Sequence, residues 1–204
     1  DATTASVTIA RAGTGKRKVI MAKGAYHGAV PWCSPSVVGV TEADRAHLMT
    51  FEWGDIAGLE AVVAEAGDDL AAIILTAYRH DVGRDQEMPT EAFLRAARAA
   101  CDRSGAMLIL DDVRAGFRLD VRGSWARYGV KPDLATYSKS IANGWPLACV
   151  AGSDRARDGA DKIFTTGSFR YGAVAMAAAL TTVRILRDTD AIAHTEAMGL
   201  RLRA

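Results

Sequence analysis

Residues 108–113 of this chain read Leu-Ile-Leu-Asp-Asp-Val, and residues 133–140 read Asp-Leu-Ala-Thr-Tyr-Ser-Lys-Ser. Each stretch contains an apolar run that is typical of a strand in a buried parallel sheet. The runs are followed by ionisable side chains, Asp111 in the first stretch and Lys139 in the second. Because open α/β sheets bind ligands beyond the carboxyl ends of their strands, the sequence predicts a carboxylate and an amine at one ligand-binding edge.

A lysine and a carboxylate at such an edge have a defined chemical use. The amine of Lys139 can form a Schiff base with an aldehyde, and the carboxylate of Asp111 can hold a cationic ring nitrogen. Together the two groups describe a site for pyridoxal 5′-phosphate (PLP). Each residue also has a simpler interpretation, a surface lysine at a strand end or an aspartate that caps a turn, so the prediction depends on the rest of the chain.

The composition is that of a globular protein with a small-molecule ligand. Half of the 204 residues are apolar, and 25 basic and 24 acidic residues leave a net charge of +1 with no basic block. We therefore expect neither nucleic acid nor an anionic membrane as a partner. No run approaches the roughly 20 apolar residues of a membrane span, and no signal peptide pattern is present, so the cytoplasm is the expected location.

The cysteine and histidine spacings predict no metal site. Three cysteines, an odd number, are widely spaced in ordinary local sequence, so we expect buried, reduced thiols and neither a disulfide framework nor a zinc site. His47, His80 and His194 also lack the spacing of metal ligands, and we expect them to face solvent or to be hydrogen-bonded locally.

Strand and helix signals alternate along the chain. Strands are expected at residues 18–22, 47–51, 71–75, 107–110, 134–137 and 147–151. Helices are expected over the first residues to about Gly13, from Asp55 to Gly67, from Pro89 to Gly105, from Gly172 through Leu186, and from near Asp190. This alternation predicts an α/β fold, a three-layer α/β/α sandwich with a mostly parallel sheet.

Several motifs, in order along nearly the whole chain, resemble those of the class III (ω-type) aminotransferases and the neighbouring glutamate-1-semialdehyde aminomutases, which are PLP enzymes of fold type I. Residues 1–16 are similar to the helix after the family's phosphate-binding turn, and residues 24–28 to its tyrosine-histidine-glycine turn. Residues 110–118 resemble its Asp-Glu-Val segment, and residues 132–146 resemble its lysine segment. The resemblance implies PLP as the cofactor.

The resemblance also implies roles for single residues in the cofactor site. Lys139 would carry the Schiff base and then act as the base that moves a proton, and Asp111 would keep the ring nitrogen protonated. Val113, two residues further along the strand, would point to the same side as Asp111 and pack on one face of the ring. Tyr26 would stack on the other face, although a half-buried core tyrosine is the alternative.

Two further residues receive roles from the resemblance. His27 would line the pocket, with a turn histidine bonded to backbone as an equal alternative. Ser168 aligns with a threonine that reaches the phosphate of the partner subunit's cofactor, and Thr165 and Thr166 are rivals for this contact. Because the contact crosses an interface, the resemblance implies a homodimer with shared active sites.

Departures from the family pattern concern substrate contacts and length. The family's glutamate is Asp112 here, its Gly-Asn-Pro is replaced at residues 171–173, and its Val-Glu-Pro is Leu-Thr-Ala at residues 75–77. Family members are roughly twice as long. We therefore expect residues 1–188 to form a PLP-binding large domain that is incomplete at its N-terminus, and residues 189–204 to start the linker helix toward a C-terminal small domain that this chain lacks.

The predicted activity is transamination, in which an amino group moves from an amine or amino acid to a keto or aldehyde acceptor. Small-molecule amines and keto acids are the expected partners. Three alternatives remain open. They are an aminomutase of the glutamate-1-semialdehyde type, a truncated remnant without catalytic activity, and a lysine-dependent aldolase, which would leave Asp111 unexplained.

Overall fold

The computed structural model describes residues 1–81 and 83–204. Its strands are β1 (Lys18–Ala22), β2 (Leu48–Phe51), β3 (Leu70–Thr76), β4 (Met107–Asp111), β5 (Leu134–Tyr137) and β6 (Cys149–Gly152). Its α-helices are α1 (Ala2–Thr14), α2 (Glu42–Arg45), α3 (Ile56–Ala66), α4 (Glu91–Ser104), α5 (Asp154–Lys162), α6 (Ala173–Asp188) and α7 (Ala191–Arg203).

The described strands form one six-stranded sheet in the order β2-β1-β3-β4-β5-β6. The first five strands in this order are parallel, and β6 pairs antiparallel with β5 at the edge. The predicted α/β fold with a mostly parallel sheet is confirmed. The strand expected at residues 147–151 begins two residues later, at Cys149, and runs against its neighbour.

Helices cover both faces of the sheet and make it the middle of three layers. On β3, Ile73 and Leu75 face a core cluster that includes Leu59 of α3 and Phe93 of α4. Ile74, between them, faces a second cluster that includes Val7 of α1. Since successive strand residues point to opposite faces, the continuous apolar run of β3 fills both cores.

Local capping signals place two of the helices. The Asp55 side chain accepts a hydrogen bond from the Gly58 N–H at 3.0 Å at the start of α3. Thr90 does the same for the Phe93 N–H at 3.2 Å at the start of α4, and Gly105 ends α4 with a φ of 71°. These boundaries agree with the sequence prediction. The sequence did not predict α2 or α5.

Helix α5 packs tightly against α1 through glycine. A Cβ atom added to Gly159 of α5 would lie 2.9 Å from the backbone nitrogen of Gly13, and it would also overlap the carbonyl oxygen of Ile9. Both neighbours are backbone atoms of α1 and cannot rotate away. The absence of a side chain at Gly159 therefore sets the distance between these two helices.

The two C-terminal helices are mostly exposed. Helix α7 has no buried residue, and α6 has only Ala179 buried. The division into residues 1–188 and 189–204 stays a prediction. Across the two described ranges, no helix combines the length and apolar character that a membrane crossing needs.

We expect Gly159→Ala to lower the free energy of unfolding by about 1–3 kcal/mol, because overpacking forces backbone shifts. Gly199→Ala is the matched control, since Gly199 lies inside α7 and an added Cβ there meets nothing within 4 Å. The control should be neutral or stabilising by up to about 1 kcal/mol through helix propensity. Urea unfolding of both variants measures the difference, and equal effects would contradict the packing argument.

Candidate active site

The carboxyl edge of the sheet brings the predicted carboxylate and amine together. Asp111 is the last residue of β4, and Thr136 of β5 pairs with it across the ladder. Lys139 follows β5 after one intervening residue and begins a short 3₁₀ turn. Five of the six predicted site residues line one cleft of about 160 Å³ at this edge: Tyr26, His27, Asp111, Val113 and Lys139. We call it the cofactor cleft.

Asp111 is a buried carboxylate that three donors hold. Its Oδ2 lies 2.7 Å from Nδ1 of His27, and its Oδ1 accepts from the Val113 N–H at 3.2 Å and the Thr136 hydroxyl at 3.3 Å. Burial alone would raise the pKa of Asp111, but the hydrogen bonds from His27, Val113 and Thr136 outweigh burial and hold the pKa below its usual range. Asp111 is therefore an anion at neutral pH.

His27 orients Asp111 from the turn after β1. Its side chain is buried and bonded to Asp111, and its backbone carbonyl accepts from the Thr3 hydroxyl at 2.6 Å. An ionised carboxylate only accepts hydrogen bonds, so Nδ1 of His27 is the donor. Of the two sequence-based alternatives, the side-chain bond to backbone is absent among the described residues, and His27 lies in the cleft.

Lys139 lies at the cleft with a strained backbone. Its φ is 47°, in the left-handed region that residues other than glycine rarely adopt, which costs about 1–3 kcal/mol. Within residues 1–81 and 83–204, its amine has no hydrogen-bond or ion-pair partner. The side chain is exposed, so the amine is accessible to a ligand in the cleft.

Val113 and Tyr26 line the cleft for different reasons. Strand alternation predicts that Val113 points to the same side as Asp111, but this reason is wrong because β4 ends at Asp111. Val113 lies in the following turn, and its backbone N–H bonds the Asp111 carboxylate. Tyr26 is 44% exposed and lines the cleft, so part of its side chain is open to a ligand.

Ser168 lies apart from the other predicted residues. It is on the exposed segment between α5 and α6, as are Thr165 and Thr166, and none of the three lines the cofactor cleft. The structure of a single chain therefore does not bring Ser168 to the lysine of the same chain. Its role at a partner's site stays a prediction.

Two residues near Asp111 were not predicted as site residues, one hydrogen-bonded to its carboxylate and one lining the same cleft. Thr136, fully buried beside Asp111, could have been found from its register with the strand end. His80, which was expected to face solvent or bond locally, lines the cleft instead, and burial first and Arg114 second lower its pKa. The position of His80 depends on the path of the loop after β3, which no local sequence signal determines.

Asp112 points away from this chemistry. It is fully buried, and its carboxylate accepts hydrogen bonds from the Ser124 N–H at 3.0 Å and from the Ser124 hydroxyl. Burial raises the pKa of Asp112 despite these bonds. These hydrogen bonds to Ser124 anchor the segment after β4 to the end of that strand.

These residues fit PLP as a cofactor. An ionised carboxylate offers about four acceptor positions, and the protein uses three of those on Asp111, which leaves one for a ring N–H. The first residues of α1 line the same cleft, and the N-terminus of a helix favours a phosphate. Among the described residues, no group of three or more His, Cys, Asp or Glu side chains forms a metal site.

A lysine and a buried carboxylate at this edge of an α/β sheet are the arrangement expected of a PLP-binding protein of fold type I. A model of the family described as aminotransferase class-III matches residues 1–204, and the chain belongs to this family. These findings confirm the predicted family, fold and cofactor.

Several known proteins are similar to this chain. An aminopentol aminotransferase of Sphingopyxis macrogoltabida is 44% identical over 204 residues, which are 100% of this chain and 48% of that protein. A glutamate-1-semialdehyde 2,1-aminomutase of Rhodopirellula baltica is 33% identical, over 99% of this chain and 49% of that protein. The chain thus spans about half the length of the curated relatives it matches.

Solved structures show the same fold. The FumI protein of Sphingopyxis sp. MTA144, in its PLP internal aldimine form, superposes with a TM-score of 0.90 at 45% identity, over 93% of this chain and 46% of that one. An ω-transaminase from Sphaerobacter thermophilus superposes with a TM-score of 0.80 at 27% identity, over 89% and 46% of the two chains.

We expect His27→Phe to raise the pH at which Asp111 loses its charge. Without the His27 donor, burial acts on the carboxylate with less opposition and moves its pKa upward. A depressed pKa adds stability that is present above the unfolded-state value and is lost as pH falls through the folded-state value. Acid unfolding of the variant should therefore begin at higher pH than that of the wild type, as followed by circular dichroism.

Thr136→Val is the matched control for this prediction, because it removes a longer hydrogen bond to the same carboxylate, 3.3 Å against 2.7 Å. Its acid transition should shift in the same direction and by less. An acid transition of His27→Phe at the wild-type pH would contradict the proposed control of Asp111 by His27.

Proposed function

We propose that the protein carrying this chain catalyses PLP-dependent transamination, from an amine or amino acid to a keto or aldehyde acceptor. The observation that supports this most strongly is the unpaired amine of Lys139 in one cleft with the three-fold hydrogen-bonded carboxylate of Asp111. The family supplies the reaction type, and the resemblance to an aminopentol aminotransferase favours an amine such as aminopentol as the donor.

Each residue contributes a separate step in this proposal. Bound PLP supplies an electron-withdrawing ring that stabilises negative charge on a substrate carbon. The Lys139 amine would hold the cofactor, and the free Nζ would take and return a proton at the substrate carbon. Asp111, fixed as an anion by His27, keeps a proton on the ring nitrogen.

The remaining cleft residues bind and orient. Tyr26, Val113 and the first residues of α1 line the cleft, so Tyr26 and Val113 would cover the faces of the ring, and the first backbone N–H groups of α1 would bind the phosphate. Lys139, with its left-handed backbone, lines the same cleft, so we expect its amine to reach both cofactor and substrate without a change in the fold.

We also propose a homodimer in the cytoplasm, with Ser168 donating to the phosphate of the partner's cofactor. The Ser168 segment is exposed, and large apolar side chains around it are exposed as well, among them Phe164, Phe169 and Tyr171. A second copy of the chain would cover them. The three cysteines are free, as is usual in a reducing compartment.

An aminomutase is the second candidate, because glutamate-1-semialdehyde aminomutases are about one-third identical to this chain. A mutase returns the amino group to a neighbouring carbon of the same substrate and therefore needs no separate acceptor. We expect turnover of an amine only when a keto acid is added. Turnover of glutamate-1-semialdehyde without an added acceptor would overturn the transferase proposal.

The cofactor chemistry is tested by absorption spectroscopy and by the activity of a lysine variant. We expect wild-type protein to form the lysine–PLP absorption band and to lose it when an amine donor is added, whereas Lys139→Ala should form no such band and should lose activity by at least about 10³-fold. Lys131→Ala is the control, since Lys131 is exposed and lies outside the cleft. A wild-type protein without the band would support the non-catalytic alternative.

Mixed dimers test the shared site. In a hybrid dimer, one chain carries Lys139→Ala and the other carries Ser168→Ala. If Ser168 serves the partner's site, both changes fall in one site and the other site is native. We expect the purified hybrid to bind PLP at one site with wild-type affinity, measured by absorption titration. If Ser168 acted within its own subunit, each site of the hybrid would carry one change and neither would be native. The two homodimers are the controls, since each shows the effect of one change alone.

A further inference from the structure

A second cleft continues from the cofactor cleft and carries excess positive charge. It has a volume of about 570 Å³, and the two clefts share Tyr26, His80 and Arg114. We call it the arginine cleft. Its charged lining residues are Lys23, Glu52, Arg79, Asp81, Arg84 and Arg114.

The carboxylates of the arginine cleft are already paired. Glu52 lies 3.2 Å from the amine of Lys23, and Asp81 lies 2.7 Å from the guanidinium of Arg79. Arg79 also lies 3.7 Å from Glu87, outside the cleft lining. These pairs neutralise two of the four cations, so the surplus positive charge comes from the two remaining arginines.

Arg84 and Arg114 are these remaining arginines. Both side chains are exposed, and among the described residues neither guanidinium has an ion pair or a hydrogen bond. Arg114 lines both clefts, whereas Arg84 lines only the arginine cleft. Arg114 also lowers the pKa of His80, which places its charge close to the shared boundary.

We propose that Arg114, assisted by Arg84, binds the carboxylate of a keto acid or amino acid substrate whose reacting carbon lies in the cofactor cleft. This inference rests on the proposed transamination and adds a specificity site to it. A guanidinium presents two parallel N–H donors that match a carboxylate. The neutral and apolar parts of a substrate would lie toward Tyr26, which both clefts share.

The charge distribution also separates this site from the one proposed for the cofactor phosphate. The first residues of α1 line the cofactor cleft but not the arginine cleft. An anion at the N-terminus of α1 and an anion at Arg114 and Arg84 therefore have distinct sets of donors. A keto acid acceptor needs the second set, and an amine donor without a carboxylate does not.

The test compares substrates with and without a carboxylate in the PLP-loaded protein. We expect Arg114→Gln to weaken binding of propionate, an unreactive carboxylate, about 10-fold to 100-fold by calorimetry, as loss of a charged hydrogen bond implies. The KM for pyruvate should rise by a similar factor. The rate of the half-reaction with hexylamine, which has no carboxylate, should stay within about twofold of wild type.

Three variants define the specificity of this effect. Arg84→Gln should weaken propionate binding by a smaller factor, and Arg114→Lys should recover part of the loss because it keeps the charge without the planar fork. Arg127→Gln is the matched control, an exposed arginine that lines neither cleft. Its propionate affinity should equal that of the wild type.

Two results would overturn the inference. One is wild-type affinity for both propionate and PLP in Arg114→Gln, whatever the effect of Arg84→Gln. The other is loss of PLP affinity in Arg114→Gln with propionate binding unchanged, which would assign Arg114 to the cofactor. Failure of the proposed transamination would give a different result: the lysine–PLP absorption band of the wild-type protein would not change when hexylamine is added. The propionate titration needs no turnover, so the two failures are distinguishable.

Discussion

The ionised carboxylate of Asp111, buried where β4 ends, is the constraint on which the rest of the site depends. A buried charge without partners costs several kcal/mol, so the fold must deliver donors to it. They come from the turn after β1, from the chain just beyond β4 and from the middle of the neighbouring strand β5. The same hydrogen bonds therefore connect the site to the sheet edge.

The two adjacent aspartates show how one strand end serves two purposes. Asp111 faces the cleft, and its hydrogen bonds keep it anionic, whereas Asp112 is fully buried, has one partner residue and has a raised pKa. In the proposed function, the first supplies a fixed negative charge to the cofactor. The second fastens the segment that ends at Ser124 to the sheet, and so it fixes the start of the turn that positions Val113 and Arg114.

The sequence predicted those features that local signals or strand periodicity determine. Asp55 and Thr90 mark helix starts, and Asp111 and Lys139 follow apolar runs, so their edge of the sheet could be predicted. Helix α5 was missed because only Ala156 and Gly159 of it are buried, which leaves no apolar periodicity. The cleft positions of His80 and Arg114 depend on loops whose paths tertiary contacts decide, such as the bridge between Arg79 and Glu87.

The packing of α5 on α1 has a consequence for the order in which the domain assembles. The helix whose first residues line the cofactor cleft is made before α5, because its contact at Gly159 lies about 150 residues later in the chain. During synthesis α1 therefore leaves the ribosome without its neighbour. Helix α1 gains this packing only after all six described strands have been translated, so we expect the ability to bind the cofactor to arise late in the synthesis of this chain.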